Sequence, residues 1–428
     1  MGMATLVLFC AAITVCILFG FPVAYALLAG LGLFWAYGLL RRHSVRMLLR
    51  MSWSGLFAAR NVIITFLFIG TVTASWRASG TIAYIIYHSV KIITPGMFLP
   101  CAFGLCCLVS FLLGSTFGTV ASVGFVCMSI GDAMGIPPVL AGGAIISGIY
   151  FGDRCSPVSA CTNLVAEITG ANIYSLIPRL LRRQLGPWII TALVYTAAGF
   201  TLDASDAAVD ATAVFARSYV LSPATLAPAA AILVFGALRV PVRLAMACST
   251  ALALGCWLWL QNGAWSSLPG LLWGGFAPPD AQLAALLGGG GIVSMDHAIY
   301  ILLISAPYAG IFAGTGLLRG VRFAVLRLQA RTSPFGAVLV AGAACAIIAC
   351  SQTLSTLLTN QICPRRTRDN AIFAGMLSDT CVVLAALIPW STAGAVPVAI
   401  LGAPQSALLF ACYLYLIPLW HLAFHRHE

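Results

Sequence analysis

Apolar runs of about 15–20 residues follow one another along almost the whole chain, each long enough to cross a hydrocarbon layer of ~30 Å as a helix. This feature restricts the fold more than any other. A segment in hydrocarbon has no water for its backbone N–H and C=O groups, so it must satisfy them internally, as a helix does. Composition agrees: 61% of the 428 residues are hydrophobic and 8% are charged, against roughly 25% charged in soluble domains. The expected fold class is an all-α polytopic membrane protein with about 10–11 spans.

The net charge of +11 reads as basic loops on the cytoplasmic side rather than as a nucleic-acid surface. Basic clusters lie at 41–50, at Arg179, Arg182 and Arg183, at Arg239 and Arg243, at Arg319–Arg331, at 365–368 and in the terminal His-Arg-His-Glu. Asp203, Asp206 and Asp210, and the Trp- and Pro-rich stretch 262–280, read as outside. Spans are then expected near 4–20, 22–39, 61–77, 187–201, 220–238, 244–261, 297–313 and 404–421. Both termini fall in the cytoplasm and the chain in a plasma (inner) membrane.

Two regions do not read as whole crossings. Residues 96–131 are interrupted by GSTFGTVAS (114–122), and residues 334–363 by CSQTLSTLLTN (350–360). The second begins and ends beside basic clusters, so it is expected to re-enter on one side. Such a tip is tolerable only against protein or a water-filled cavity. Two further stretches, 139–176 and 370–397, read as broken spans. Gly80 to Ser115 and Gly316 to Ser351 are equally spaced, and GDRC (152–155) matches SDTC (378–381). The chain is therefore divided into a first repeat at 1–203, an extracytoplasmic linker at 204–219 and a second repeat at 220–428. Five crossings per repeat make the second copy inverted, which is an architecture of secondary transporters.

The stretch YFGDRCSPVSACTNLVAEITG (150–170) concentrates polarity in this apolar chain. Eleven acidic residues exist, and most fall in loops, at span entries or near a basic end. Asp153 and Asp379 are left deep in the bilayer, each at a helix break, where a carboxylate costs at least ~2.5–3.5 kcal/mol and so faces a site or pathway. Hydroxyls and amides at the breaks suit a hard cation such as Na+. They are Ser156, Ser159, Thr162 and Asn163 in the first copy and Thr380 and Ser391 in the second, with Ser115, Thr116, Thr119, Ser351, Gln352, Thr353, Ser355 and Thr356 at the hairpin tips. Unwound backbone carbonyls would add ligands. Arg154 has two readings: it neutralises Asp153, or it holds an anionic substrate by a bidentate contact. The 15 cysteines show no metal or disulfide spacing. The six histidines read as lying at interfaces, span ends or the C-terminus, with none beside the two carboxylates.

FGDRCSPVSACTNLVA (151–166) resembles the signature of the NhaC Na+/H+ antiporter family, approximately G-D-K-x-S-P-L-S-D-T-T-N-L. LIPWSTAG (387–394) resembles that family's L-I-P-W-N segment, and GGGGIVSM (288–295) its glycine-rich stretch. The resemblance runs from roughly 60 to 420. It implies paired hairpins, an elevator-like motion of a transport domain against a scaffold, and substrates that include Na+, H+, malate and lactate. Asp153, Ser156, Pro157, Ser159, Thr162, Asn163 and Leu164 match. Ala160 stands where the pattern has a second acidic residue. Ser378 replaces a Glu beside Asp379; Val382, Leu384 and Ala385 replace hydroxylated positions; Ser391 replaces an Asn.

The expected function is Na+/H+ antiport by alternating access, with Asp153 and Asp379 carrying proton and cation in turn. The alternative is an H+- or Na+-coupled carrier or exchanger of a small organic anion or an amino acid. The sequence carries no nucleotide- or cofactor-binding motif, so neither an enzyme nor a cofactor is expected. Membrane lipid and the transported ions are the expected partners, nucleic acid is not, and analogy with elevator folds suggests a homodimer.

Overall fold

A computed structural model describes residues 2–19, 21–89, 91–202, 207–238, 240–317, 333–349, 351–363 and 369–424. Asp203 and Asp206 and the basic stretches 319–331, 365–368 and 425–428 lie outside the described residues. The described chain is helical throughout, with a single isolated bridge between Phe276 and Gly289. Among the described residues, six helices are long and apolar enough to cross a membrane: Ala59–Ala78, Pro95–Leu113, Thr116–Ala133, Val242–Leu260, Asn370–Leu387 and Gln405–Phe424. Shorter apolar helices accompany them, including Ala4–Cys16, Ala24–Leu40, Pro223–Gly236, Ile299–Thr315, Pro334–Ala349 and Thr392–Leu401. The protein is an all-α polytopic membrane protein.

One boundary differs from expectation. The basic stretch 41–50 is not wholly a loop. Ser44 accepts from Met47 N at 3.3 Å and caps a continuous 34-residue helix, Val45–Ala78, so Arg46 and Arg50 ride on its first turns. At about 1.5 Å per residue this helix is ~51 Å long, more than a bilayer core requires.

Both interrupted regions form helix pairs with short tips. Pro95–Leu113 ends at Gly114, whose φ of 59° places it in the left-handed region that glycine enters at little cost. Ser115 then caps the next helix by accepting from Gly118 N. The unwound segment is thus Gly114–Ser115 rather than the whole of 114–122, and Val120–Gly124 continues in π geometry. The second pair is Pro334–Ala349 and Gln352–Ile362, joined through Ser351.

The broken helices share one device. Pro138–Cys155 stops before Pro157: Ser156 is extended (φ −80°, ψ 137°), as the residue before a proline prefers to be. Ser159, two residues after that proline, caps Ala160–Thr169. In the other break, Ile388 is extended (φ −89°, ψ 114°) before Pro389, and Ser391 caps Thr392–Leu401. In both, the capping serine's own N–H closes a turn onto the residue preceding the proline, Ser156 O at 3.2 Å and Ile388 O at 3.0 Å. Unlike the first break, the second carries extra helix between Asp379 and its proline, namely Cys381–Leu384 and the tight turn Ala385–Leu387.

Packing seats the first hairpin on the first break. A Cβ at Gly152 would fall 2.0 Å from the Ser110 carbonyl carbon, so the two backbones meet only because residue 152 has no side chain. Ser110 Oγ accepts from Gly152 N at 3.1 Å and donates to the Ile149 carbonyl. Ser156 Oγ donates to Phe111 O at 2.6 Å. Val45–Ala78 receives the glycine-rich stretch through Gly291 N to Gly70 O at 2.9 Å, and Trp76 Nε1 reaches Ser249 Oγ at 2.8 Å.

Candidate functional site

The hairpin tips and helix breaks converge on a cavity of about 750 Å3. Tip one contributes Gly114–Gly118, tip two Ser351–Thr353, the first break Asp153 and Val158, and the second Thr392 and Ala393. Its far wall is apolar, with Val62 from the long helix and Ile232, Val240, Val242 and Ala245 from the region around Ala227–Ala237 and Val242–Leu260. Among the described residues lining it, Asp153 is the one charged side chain.

Asp153 lies in the last turn of Pro138–Cys155 and is 7% exposed. Ser159 Oγ donates to its Oδ1 at 3.0 Å and to its backbone carbonyl at 2.7 Å. Thr116 from tip one and Gln352 from tip two line the same cavity, and Gln352 donates its side-chain amide to the Val382 carbonyl at 2.9 Å. Thr116 Oγ1 is buried without a hydrogen-bond partner. No described cationic side chain pairs with Asp153. An ionised carboxylate buried without a counter-charge is costly by several kcal/mol. A proton or a small cation would offset that cost.

The structure brings together Asp153, Ser115, Thr116, Ser351, Gln352 and Thr353 at one cavity. Other expected ligands serve the scaffold instead. Thr162 Oγ1 donates to the Asp153 carbonyl at 3.0 Å, so with Ser159 it occupies the carbonyl that unwinding was expected to free for a cation. Asn163 is exposed and spans the break to Pro157 O and Ser159 O. Thr119, Thr356 and Thr380 bond carbonyls of their own helices, at Ser115, Gln352 and Met376. Ser355 is buried away from the cavity lining. Ser156 is tied to Phe111, and Ser391 is a helix cap. Tyr150, which sequence reasoning passed over, lines the cavity and donates to the Ala393 carbonyl across the two broken helices.

Asp379 is not a second cavity ligand. It lies behind the first break, 1% exposed. Arg154 donates to its Oδ1 through Nε at 2.9 Å and also through Nη2. Arg154 Nη1 and Tyr413 Oη both donate to Gln184 Oε1 at 2.7 Å. Both readings of Arg154 are thus corrected: it neither neutralises Asp153 nor faces an anion, because its charge is matched by Asp379 in a buried network. The expectation for the histidines is corrected too. His421 Nδ1 lies 2.6 Å from Asp379 Oδ2, and the ring stacks on Phe335 at 3.8 Å. Sequence could not show this, because 42 residues separate the two and the fold alone brings the C-terminal helix back to the break.

A lone carboxylate in a cavity between two hairpin tips and two interrupted helices, in an all-α membrane protein, defines the class as a secondary transporter. The model of the Na+/H+ antiporter family matches residues 148–424, and the chain belongs to that family. It is 26% identical over 399 residues to the Na+/H+ antiporter NhaC of Alkalihalophilus pseudofirmus, covering 88% of this chain and 86% of the relative. It is 24% identical over 362 residues to the malate-2H+/Na+-lactate antiporter of Bacillus subtilis, covering 81% and 77%. It is 26% identical over 353 residues to the arginine/ornithine antiporter ArcD of Halobacterium salinarum, covering 78% and 72%.

Proposed function

We propose that the chain exchanges Na+ for H+ by alternating access, with Asp153 holding the two cations in turn. The observation that carries this reading is a buried carboxylate facing a cavity with no described cation beside it. Protonation and Na+ binding each offset the burial cost of that charge, so they exclude one another, and exclusion at one group is the basis of obligatory exchange. Thr116, Gln352 and the Ser115, Ser351 and Thr353 tip residues offer further oxygens for a Na+ shell. Asp379 is assigned to the supporting network with Arg154, Gln184 and His421 rather than to the cation.

The recurring order of hairpin, proline-broken helix and closing helix supports the division into 1–203, a linker at 204–219 and an inverted 220–428. Motion of the hairpins and breaks past the wall formed by Val62, Ile232 and Val242 would expose the cavity alternately, as an elevator does. We assign the chain to a plasma membrane with both termini cytoplasmic and to a homodimer. Ion gradients supply the energy, so no cofactor is required and the chain acts as a transporter rather than an enzyme.

The named substrates of two relatives, malate with lactate and arginine with ornithine, keep exchange of a small organic substrate as the second reading. Arg154 gives that reading no support, since Asp379 and Gln184 occupy it. Proton release from proteoliposomes on addition of external Na+, with malate, lactate and arginine as separate additions, distinguishes the readings. Release by Na+ alone supports antiport, whereas a response that needs an organic substrate overturns it.

A further inference from the structure

We propose that the Asp153 cavity also accepts a small organic ammonium cation, quaternary ammonium included, in place of Na+; this rests on Asp153 being the cation-exchanging carboxylate. The first argument is size. About 750 Å3 lies within the range of cavities that enclose organic ligands, ~300–1,000 Å3, and far exceeds a bare ion with a few oxygen ligands. The second is charge. The described lining carries one negative group and no positive one, so an organic anion or a zwitterion would set a carboxylate against Asp153 without a partner.

The third argument is the character of the wall. Leu113, Leu164 and Ile232 provide apolar surface, and Phe117 and the buried Tyr150, 1% exposed, are among the aromatic residues at the same cavity. A quaternary ammonium carries its charge beneath methyl groups and donates no hydrogen bonds. It is recognised by aromatic faces and one counter-charge rather than by a shell of oxygens. Asp153 supplies the counter-charge, and Phe117 stays half-buried at tip one, stacked edge-on to Phe66 with ring centroids 6.3 Å apart. Arg243 borders only a smaller adjoining cavity of about 370 Å3, which shares Ser115, Phe117, Pro241 and Val242.

The test uses the full chain in proteoliposomes with an internal pH dye, and tetramethylammonium as the probe, since it has no neutral form that leaks across lipid. Competition at one site predicts that the probe, at its own dissociation constant, raises half-saturating Na+ about two-fold. Phe117→Leu should weaken the probe more than it shifts half-saturating Na+, and Asp153→Asn should remove probe binding measured by thermal shift. Na+ exchange that is intact and indifferent to saturating tetramethylammonium overturns this proposal and leaves Na+/H+ antiport standing. Probe binding lost in Asp153→Asn, with no Na+-driven proton release in the wild type, overturns antiport and with it the substitution for Na+ proposed here. A larger loss of probe affinity than of Na+ affinity in Phe117→Leu supports the proposal even if Asp153→Asn does not fold, and an equal loss of both overturns it.

Discussion

Arg154 and Asp379, 225 residues apart, form a buried ion pair that joins the two broken helices. Their neighbours Gln184 and His421 come from two other helices, so four segments meet at one charged point. Two charges removed from water repay their desolvation only when geometry and further hydrogen bonds are good, and removing one partner strands the other. Arg154→Gln or Asp379→Asn alone should therefore destabilise the folded protein by ~3–5 kcal/mol. Replacing both with apolar residues should recover part of that loss. Unfolding in detergent measures it; single variants as stable as wild type would show that the pair does not hold the breaks together.

The contact between Gly152 and Ser110 allows no side chain. Gly152→Ala should cost at least ~1–3 kcal/mol through backbone displacement and loosen the seat of tip one on the first break. Gly32, whose Cβ would meet nothing within 4 Å, is the control. Gly152→Ala should lower the melting temperature and Gly32→Ala should not. Equal behaviour of the two would count against the packing described.

Asp369 caps the second broken helix by accepting from Ala371 N at 2.8 Å, and Arg179, 190 residues away in the chain, donates to it at 2.5 Å. Arg179 holds its carboxyl below the usual Asp range. A depressed carboxylate contributes stability that is present above its unfolded pKa of about 3.9 and lost as pH falls through the lower folded value. Asp369→Ala should cost ~0.5–2 kcal/mol as a lost cap at neutral pH, with only a small share from the exposed ion pair. The difference from wild type should hold from neutral pH down to mildly acidic pH and shrink below that range. A difference that grows on acidification would contradict this origin.

Much of the fold was legible because hydrophobic length and proline position are local signals. Ser156-Pro157 and Ile388-Pro389 mark breaks without any tertiary knowledge, and Gly114-Ser115 marks a tip. The roles of the two aspartates were not equally legible. GDRC and SDTC align Asp153 with Asp379, but the breaks do not: Asp153 lies six residues before its capping serine, and the same interval counted back from Ser391 reaches Ala385. Asp379 is one further helical stretch away, which is why it meets Arg154 and not the cavity. Asn163 and Thr162 misled because a hydroxyl or amide at a break satisfies orphan carbonyls as readily as it binds a cation. The pairing of His421 with Asp379 is purely tertiary.

In the proposed mechanism Asp153 alone carries the exchanged cation, while Asp379 keeps the breaks in place. Proton flux driven by a Na+ gradient in proteoliposomes of Asp153→Asn, with its melting temperature taken in parallel, tests it most directly. The variant should fold, with Oδ1 still accepting from Ser159, and exchange should be abolished. Exchange persisting at the wild-type rate in a properly inserted Asp153→Asn protein would contradict it.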